Sequence, residues 1–176
     1  IAGYLPGIAV TGNSVVLNST GNVGSSASRL SIKVGLGGNL SGSVAGNAYI
    51  FDQFLTDASN PAQLIQNLIV GDFSAAAGLY LRADAGIVIE TSAASANGPV
   101  SLIADSIVMN TGSQVTSGGL ITIAGLGNVT LAQVRSTYDP SSPTVVIAVT
   151  AGGAILSSDN NQTNVVANKA HSLVSL

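Results

Sequence analysis

Few residues in this sequence could take part in acid–base or metal chemistry, and two aspartates among them have a regular spacing. Asp84 and Asp105 each follow a short apolar segment and lie 21 residues apart. On neighbouring strands, their carboxylates would lie about 4.8 Å apart, where they could bind Ca²⁺ or act as acid and base on a polysaccharide. A further 21 residues along stands Leu126, and no basic residue recurs beside it. The pattern therefore favours turn aspartates that bond their own backbone.

The other candidate groups are isolated. His171 is the only histidine, and its place near the end of the sequence favours a surface or turn residue. Asp52, Asp57 and Asp72 are interpreted as loop and cap residues. The run Gly35–Gly38 lacks the lysine and the strand-to-helix context of a phosphate-binding loop. We therefore predict no catalytic, cofactor-binding or metal site, and no enzymatic activity.

The aromatic residues allow two interpretations. They could form a sugar-stacking surface, or they could pack in the core or cap of the fold. Because Tyr49 and Phe51 are two residues apart and share one face of a strand, core or cap packing is the simpler interpretation. The residues concerned are Tyr49, Phe51, Phe54, Tyr80 and Tyr138.

The elements that would position these side chains repeat along the chain. Leu79, Val100 and Ile121 begin similar segments at intervals of 21 residues. A second apolar segment follows each one, at spacings of 20 and 22: Ile87–Ile89, Ile107–Met109 and Val129–Leu131. Both segments alternate with the period of two that half-buried strands show. A unit this short cannot bury its own apolar face, so the copies must stack into a solenoid.

Composition limits the classes of protein to which the chain can belong. Of the 176 residues, 46% are hydrophobic and 7% are charged, and no run approaches the roughly 20 apolar residues that cross a membrane as a helix. The net charge is −3, and the five basic residues are scattered singly, which argues against a nucleic-acid partner. Without cysteine the chain has neither disulfides nor thiolate metal sites.

The ends of the sequence indicate a piece of a longer protein. It begins with Ile1 and shows no signal peptide. The closing phrase Ser172–Leu176 resembles Ser14–Leu17, 158 residues earlier, which hints at one unit of a tandem array. We expect residues 1–176 to form a single solenoid module.

Two stretches interrupt the repeat. Between Asp57 and Phe73, an N-cap at Asn60, a proline at position 61 and apolar residues at helical spacing predict a short helix over 61–68; the alternative is a long irregular turn. The second stretch, Arg135–Pro143, contains two prolines and is predicted to be a surface loop.

Two phrases early in the chain are Gly21–Ala27, followed by Leu30 and Ile32, and Gly46–Ile50. They resemble a recurring phrase and a later strand of the filamentous-haemagglutinin-like large exoproteins of Gram-negative bacteria. Arg29 replaces a frequent proline. The resemblance implies a right-handed parallel β-helix, for which we expect about eight coils of about 21 residues, a length near 40 Å and polar ladders in the turns.

The resemblance also implies a function. The chain would be part of a secreted or cell-surface stalk or fibre that is exported by two-partner secretion and acts in adhesion, aggregation or biofilm formation. Its partners would be neighbouring coils of the same or identical chains and host-cell or matrix glycans or proteins. A subunit that stacks end to end into an extracellular filament is the alternative, because open strand edges would template it. A β-helical polysaccharide enzyme fits less well, since the chain lacks a cluster of acids with Arg or Lys.

Overall fold

The described part of the chain is built of strands without helices. The structure is a computed structural model, and it describes residues 10–53, 66–159, 164–167 and 169–176. Within these ranges no helix is present that could cross a membrane. The strands are β1 (Val10–Gly12), β2 (Val15–Ser19), β3 (Leu30–Val34), β4 (Leu40–Val44), β5 (Asn47–Asp52), β6 (Leu68–Ala75), β7 (Gly78–Ala83), β8 (Gly86–Ser95), β9 (Val100–Ala104), β10 (Ser106–Met109), β11 (Gln114–Ser117), β12 (Ile121–Gly125), β13 (Val129–Leu131), β14 (Gln133–Ser136), β15 (Thr144–Ala151), β16 (Ile155–Ser157), β17 (Val165–Ala167) and β18 (Ser172–Ser175).

All strand pairs among the described residues are parallel, and they stack into a β-solenoid, as the repeat predicts. One side, which we call face A, is the ladder β1-β3-β5-β7-β9-β12-β15-β18. Eight strands make seven steps, so face A extends about 34 Å along the axis. That is slightly shorter than the 40 Å expected from the sequence.

The other strands form two faces that meet at a bend. β8 pairs through its first half with β10 and through its second half with β11. We call the side of β10, β13 and β16 face B, and the side of β11, β14 and β17 face C. The register shifts by one residue where β6 passes from Val70 to Asp72 against β8. Glu90 and Thr91 form this bend in β8, and both are exposed.

The predicted spacing is confirmed in the middle of the chain. Leu79 lies opposite Val100, and Val100 lies opposite Ile121, two steps of 21 residues. About six turns have roughly 22 residues each. The coil that leads from β5 to β7 is longer, since Asn47 pairs with Gly78, 31 residues later.

The interior is filled by the inward apolar side chains of all three faces. On face A, side chains alternate along each strand, so the first and third residues of each repeated segment are buried and the second residue points outward. Ile50, Leu81, Leu102 and Ile123 stack in register and are at most 1% exposed. Face B supplies a column with Ile87 and Ile107, and face C one with Phe73 and Val115. The apolar repeat is thus the lining of a dry lumen.

A ladder of buried serines lies where face C turns into face A. Ser95, Ser117 and Ser136 stand opposite one another in successive coils and are at most 3% exposed. The Ser117 hydroxyl donates to the Gly98 carbonyl at 2.8 Å and accepts from the Gly119 amide at 3.0 Å. The Ser136 hydroxyl donates to the Gly119 carbonyl at 2.9 Å. These bonds satisfy backbone groups that the turn would otherwise bury unpaired, and they confirm the expected polar ladder.

The predicted interruptions are shorter than expected. Residues 61–65 of the predicted helix lie outside the described residues, but Leu68, its last residue, begins β6. Leu68 and Val70 are fully buried at an interval of two, which is the period of a strand. In the second stretch, Arg135 and Ser136 belong to β14, and the loop occupies 137–143.

The C-terminal coil is open. β16, β17 and β18 are the last strands of their ladders, and the residues of β16 are all exposed. Val174 is 42% exposed, although its neighbour in the lumen column, Ile147, is fully buried. The phrase that hinted at a tandem unit falls on different sides of the solenoid, because Ser172–Ser175 is on face A and Val15–Ser19 is not.

Candidate functional site: an aromatic–arginine patch on face A

Five side chains gather on the outer surface of face A. We call Arg29, Tyr49, Phe51, Tyr80 and Arg82 the aromatic–arginine patch. β5 and β7 place four of them, because Tyr49 lies opposite Tyr80 and Phe51 opposite Arg82. In β5 the inward residues are instead Ala48 and Ile50, both fully buried. The interpretation of Tyr49 and Phe51 as core or cap residues is therefore wrong.

The two tyrosine rings are stacked. Their centroids are 4.3 Å apart and their planes differ by 2°. Because the rings belong to adjacent strands of the ladder, they stack along the solenoid axis. One face of Tyr80 is thus covered by Tyr49, and the other face is directed towards β9. The residue of β9 in that column is Ser101, which is small.

Two guanidinium groups lie over aromatic rings of the patch. The Arg29 guanidinium is 6.0 Å from the Tyr49 ring centroid, and Arg82 is 5.6 Å from that of Phe51, both within cation–π range. Arg29 also donates to the Tyr80 carbonyl at 3.3 Å. Arg29 therefore holds the outer side of the tyrosine stack, while Arg82 is exposed.

Electrostatics within the patch follow from this crowding. Burial, and then the charge of Arg82, lower the pKa of Arg29. Burial, and then the hydrogen bond with Tyr49, raise the pKa of Tyr80. The patch thus places one half-buried and one exposed cation beside neutral rings, an arrangement that suits noncovalent recognition of an anion with a flat, apolar surface.

A glycine leaves room for the stack. A Cβ atom at Gly78 would lie 2.9 Å from Cε2 of Tyr80 and 2.7 Å from Oδ1 of Asn47. The Tyr80 ring therefore lies along the strand over Gly78, where a side chain would displace it. Gly78 thus allows the Tyr80 ring to take this position.

The structure brings together only part of the predicted aromatic set. Tyr138 lies after β14, and its carbonyl accepts from the hydroxyl of Ser172 at the start of β18. β18 is four strands from β7 on face A, about 19 Å along the axis. Tyr138 is therefore separate from the patch, and Phe54 lies outside the described residues.

The two regularly spaced aspartates lie where the interval between paired strands changes. β7 and β9 pair at an interval of 21, but β8 and β10 pair Gly86 with Ser106, an interval of 20. At this change of register the Asp105 amide donates to the Ala85 carbonyl. The Asp84 amide donates instead to the carbonyl of Asp52, one coil earlier. No group of three or more metal-binding side chains occurs among the described residues.

Asp52 is not a loop residue. It ends β5 at an inward position, opposite Ile32 and Ala83. Burial is the main cause that raises the pKa of Asp52 to about 6. A hydrogen bond from the Val34 amide opposes this rise in pKa, and the charge of Asp84 adds to it. The expectation of a loop or cap is therefore wrong for this residue.

The remaining candidates are separate from one another. Asp72 lies in β6 at the bend, also not in a loop, and accepts a hydrogen bond from the Ser92 hydroxyl. His171 lies exposed in the turn before β18, as predicted, and its carbonyl accepts from the Thr144 amide. Asp57 lies outside the described residues.

Sequence reasoning missed the arginines of the patch. Tyr49 and Tyr80 are 31 residues apart, so a search at intervals of 21 does not align them. The available signal was the choice of which alternate residues of β5 point inward. Ala48 and Ile50 suit a lumen better than Tyr49 and Phe51. No family model matches this sequence, and the comparisons with curated proteins and with solved structures also gave no match.

Proposed function

We propose that this chain is a structural segment of an extracellular stalk or fibre of a bacterial exoprotein, with a role in adhesion, aggregation or biofilm formation. The observation that carries the proposal is the continuous stacking of parallel strands around one apolar lumen over the described residues. A rod of this kind spaces its ends apart. It has no need of a catalytic centre, and we propose none.

The hydrogen-bond direction suits a stalk. In a parallel β-solenoid the ladder bonds run along the axis, so a pull on the ends loads all the bonds between two coils together. Lumen side chains, which are at most 6% exposed, add apolar contacts between successive coils. The low content of charge leaves few groups whose titration would weaken the rod.

The phrases that resemble large exoproteins support the same proposal. They stack on each other: the Asn22 side-chain oxygen accepts from the Asn47 amide at 2.8 Å, and Val23 forms a parallel bridge with Ala48. The shared residues thus hold one coil on the next. This supports a secreted repeat protein whose motifs serve the scaffold.

The test of location and role uses the protein in its source bacterium. Antibodies against the purified chain should label intact cells, and deletion of its coding region should reduce adhesion or biofilm mass. An antibody against a cytoplasmic protein controls for lysis. Labelling that appears only after permeabilisation would contradict the extracellular proposal, and unchanged adhesion and biofilm would contradict the role.

Self-assembly is a second candidate, and the open C-terminal coil favours it. Ile155 and Val174 continue lumen columns and are 37% and 42% exposed, whereas their partners Val129 and Ile147 are fully buried. A second copy could pair with these edges and cover the apolar side chains. Cryo-electron microscopy over a concentration series should then show end-to-end filaments; single short rods at every concentration would contradict this candidate.

A further inference from the structure

The aromatic–arginine patch is not needed by a scaffold. Its side chains point away from the lumen, and the buried columns of face A are complete without them. Yet the patch concentrates three of the aromatic rings and two of the five basic residues of the chain on two adjacent strands and the loop before β3. Its arrangement is that of a binding surface.

We propose that the aromatic–arginine patch binds a polysaccharide that carries carboxylate groups. A sugar ring stacks on the second face of Tyr80, and Arg82, the exposed arginine of the patch, binds a carboxylate. The proposal gives the adhesive role proposed above a ligand, and it rests on that role.

The stacking step follows from the geometry of Tyr80. Its ring is parallel to Tyr49 at 4.3 Å, a spacing close to that between strands, so its second face looks along the axis. Ser101 follows in that column with a small side chain, and Tyr80 keeps part of its surface exposed. A sugar placed there would continue the stack with its C–H groups against the ring.

The ring is held in position beforehand. Arg29 lies on the far side of the stack and bonds the Tyr80 carbonyl, and Gly78 provides the space under the ring. A preorganised surface loses little side-chain entropy when a ligand binds. This favours a binding function over an accidental contact between aromatic residues.

The charges select the ligand class. A guanidinium binds a carboxylate through two parallel hydrogen bonds, which gives direction as well as attraction. Arg82 lies two residues after Tyr80 on β7 and its side chain is exposed, so it is available to an anion bound beside that ring. A neutral glycan could use the ring but would gain nothing from this cation.

The surface beyond Tyr80 has room for a polymer. The outward column continues from Ser101 through Thr122 to Ala148, one small residue in each coil. Ser101 and Thr122 offer hydroxyl groups to a chain that runs along the axis. Bulky outward side chains in this column would have closed the path. A short oligosaccharide can therefore occupy successive coils.

The experiment measures binding of a defined oligogalacturonate to the purified chain by calorimetry. The same oligosaccharide with its carboxylates converted to methyl esters is the matched control ligand. We expect saturable binding of the acid and at least about tenfold weaker binding of the ester. Equal binding of both ligands, or no binding of the acid, would overturn the proposal.

Variants locate the site. Tyr80→Ala and Arg82→Gln should each weaken binding of the acid at least about tenfold. Tyr138→Ala removes an exposed tyrosine about 19 Å away and should leave binding unchanged. Because Arg82 is exposed, its substitution keeps the fold even if Tyr80→Ala disturbs β7. Wild-type affinity in Arg82→Gln would overturn the proposal.

The outcome separates this inference from the proposed function. Surface labelling and adhesion test the stalk, whereas calorimetry tests the patch. Loss of oligogalacturonate binding with surface labelling and adhesion intact would overturn only the ligand. Binding by a chain that labels only permeabilised cells would overturn only the stalk.

Discussion

Asp52 places a carboxyl group at the wall of an apolar lumen. It stands opposite Ile32, which is fully buried, and Ala83, which is 4% exposed. Burial is the main cause that raises the pKa of Asp52 to about 6, from 3.8. The folded chain therefore binds a proton more tightly than the unfolded chain, and its stability falls as pH rises through this interval.

We predict that Asp52→Asn stabilises the chain at about pH 8 and has little effect at about pH 4. The shift corresponds to at most about 3 kcal/mol, and partial exposure of the carboxyl reduces this to about 1–2 kcal/mol. The Asn side chain can still accept from the Val34 amide. Urea denaturation at both pH values measures the difference in the free energy of unfolding.

Asp105→Asn is the matched control, since Asp105 is exposed and follows the corresponding strand β9. It should change stability little at either pH. An equal gain for Asp52→Asn at both pH values would show that ionisation is not the cause, and the assignment would be wrong.

Individual side chains were the hardest part to predict from the sequence. Asp52 and Tyr49 both lie in β5, and the parity of that strand decides that one points inward and the other outward. A shift of one residue would exchange them. The sequence placed the strand correctly, but the hydrophobic Tyr49 and Phe51 made the wrong parity attractive.

Asparagine–glycine contacts recur between successive coils. At six places an Asn side chain lies where a Cβ atom would stand on a glycine of the next coil, within 3.1 Å or less; the pairs are Asn13–Gly35, Asn22–Gly46, Asn39–Gly71, Asn47–Gly78, Asn67–Gly86 and Asn128–Gly153. The glycine admits the carboxamide, and the carboxamide in several cases accepts a backbone amide. This explains why glycine and asparagine are abundant together.

We predict that Asn128 and Gly153 are energetically coupled. A Cβ at residue 153 would lie 2.2 Å from Oδ1 of Asn128, so Gly153→Ala must turn the carboxamide away. That movement breaks its 2.9 Å bond from the Ala154 amide, which Asn128→Ala also removes. Each single substitution should lower the free energy of unfolding by about 1 kcal/mol, and the double substitution by little more.

A double-mutant cycle by chemical denaturation tests this coupling. Gly21→Ala is the control, because nothing lies within 4 Å of a Cβ at that glycine. It should be nearly neutral. Additive losses in the double variant would mean that the two positions act independently, against the prediction.

At this scale the sequence was most informative in the middle of the chain. Leu79, Val100 and Ile121 have the register that their spacing predicted, because a stacked lumen demands the same apolar position in every coil. A constant spacing does not predict the register where a coil changes length. The segment before Leu68 belongs to the 31-residue turn, and its apolar residues at helical spacing concealed the start of β6.

In the last described coil no further strand is stacked on β16, β17 or β18, and the lumen column of Ile147 ends in the half-exposed Val174. The open strand edges were expected from the fold class alone. Their consequence for assembly depends on which side chains face the end, and that follows only from the register of β15 with β18.

We predict that Val174→Lys prevents end-to-end association. The position continues the lumen column of Ile147, so a second copy docked on this coil would have to bury the ammonium group in apolar surroundings. The monomer should tolerate the lysine, because Val174 is 42% exposed. Sedimentation velocity over a concentration series should show association of the wild type that weakens at least about tenfold in the variant.

Val108→Lys is the control, since Val108 is 37% exposed on the side of face B. If the contacts are axial, Val108→Lys should associate like the wild type. Equal loss of association in both variants would indicate lateral contacts. A wild type that stays monomeric at every concentration would contradict the filament alternative.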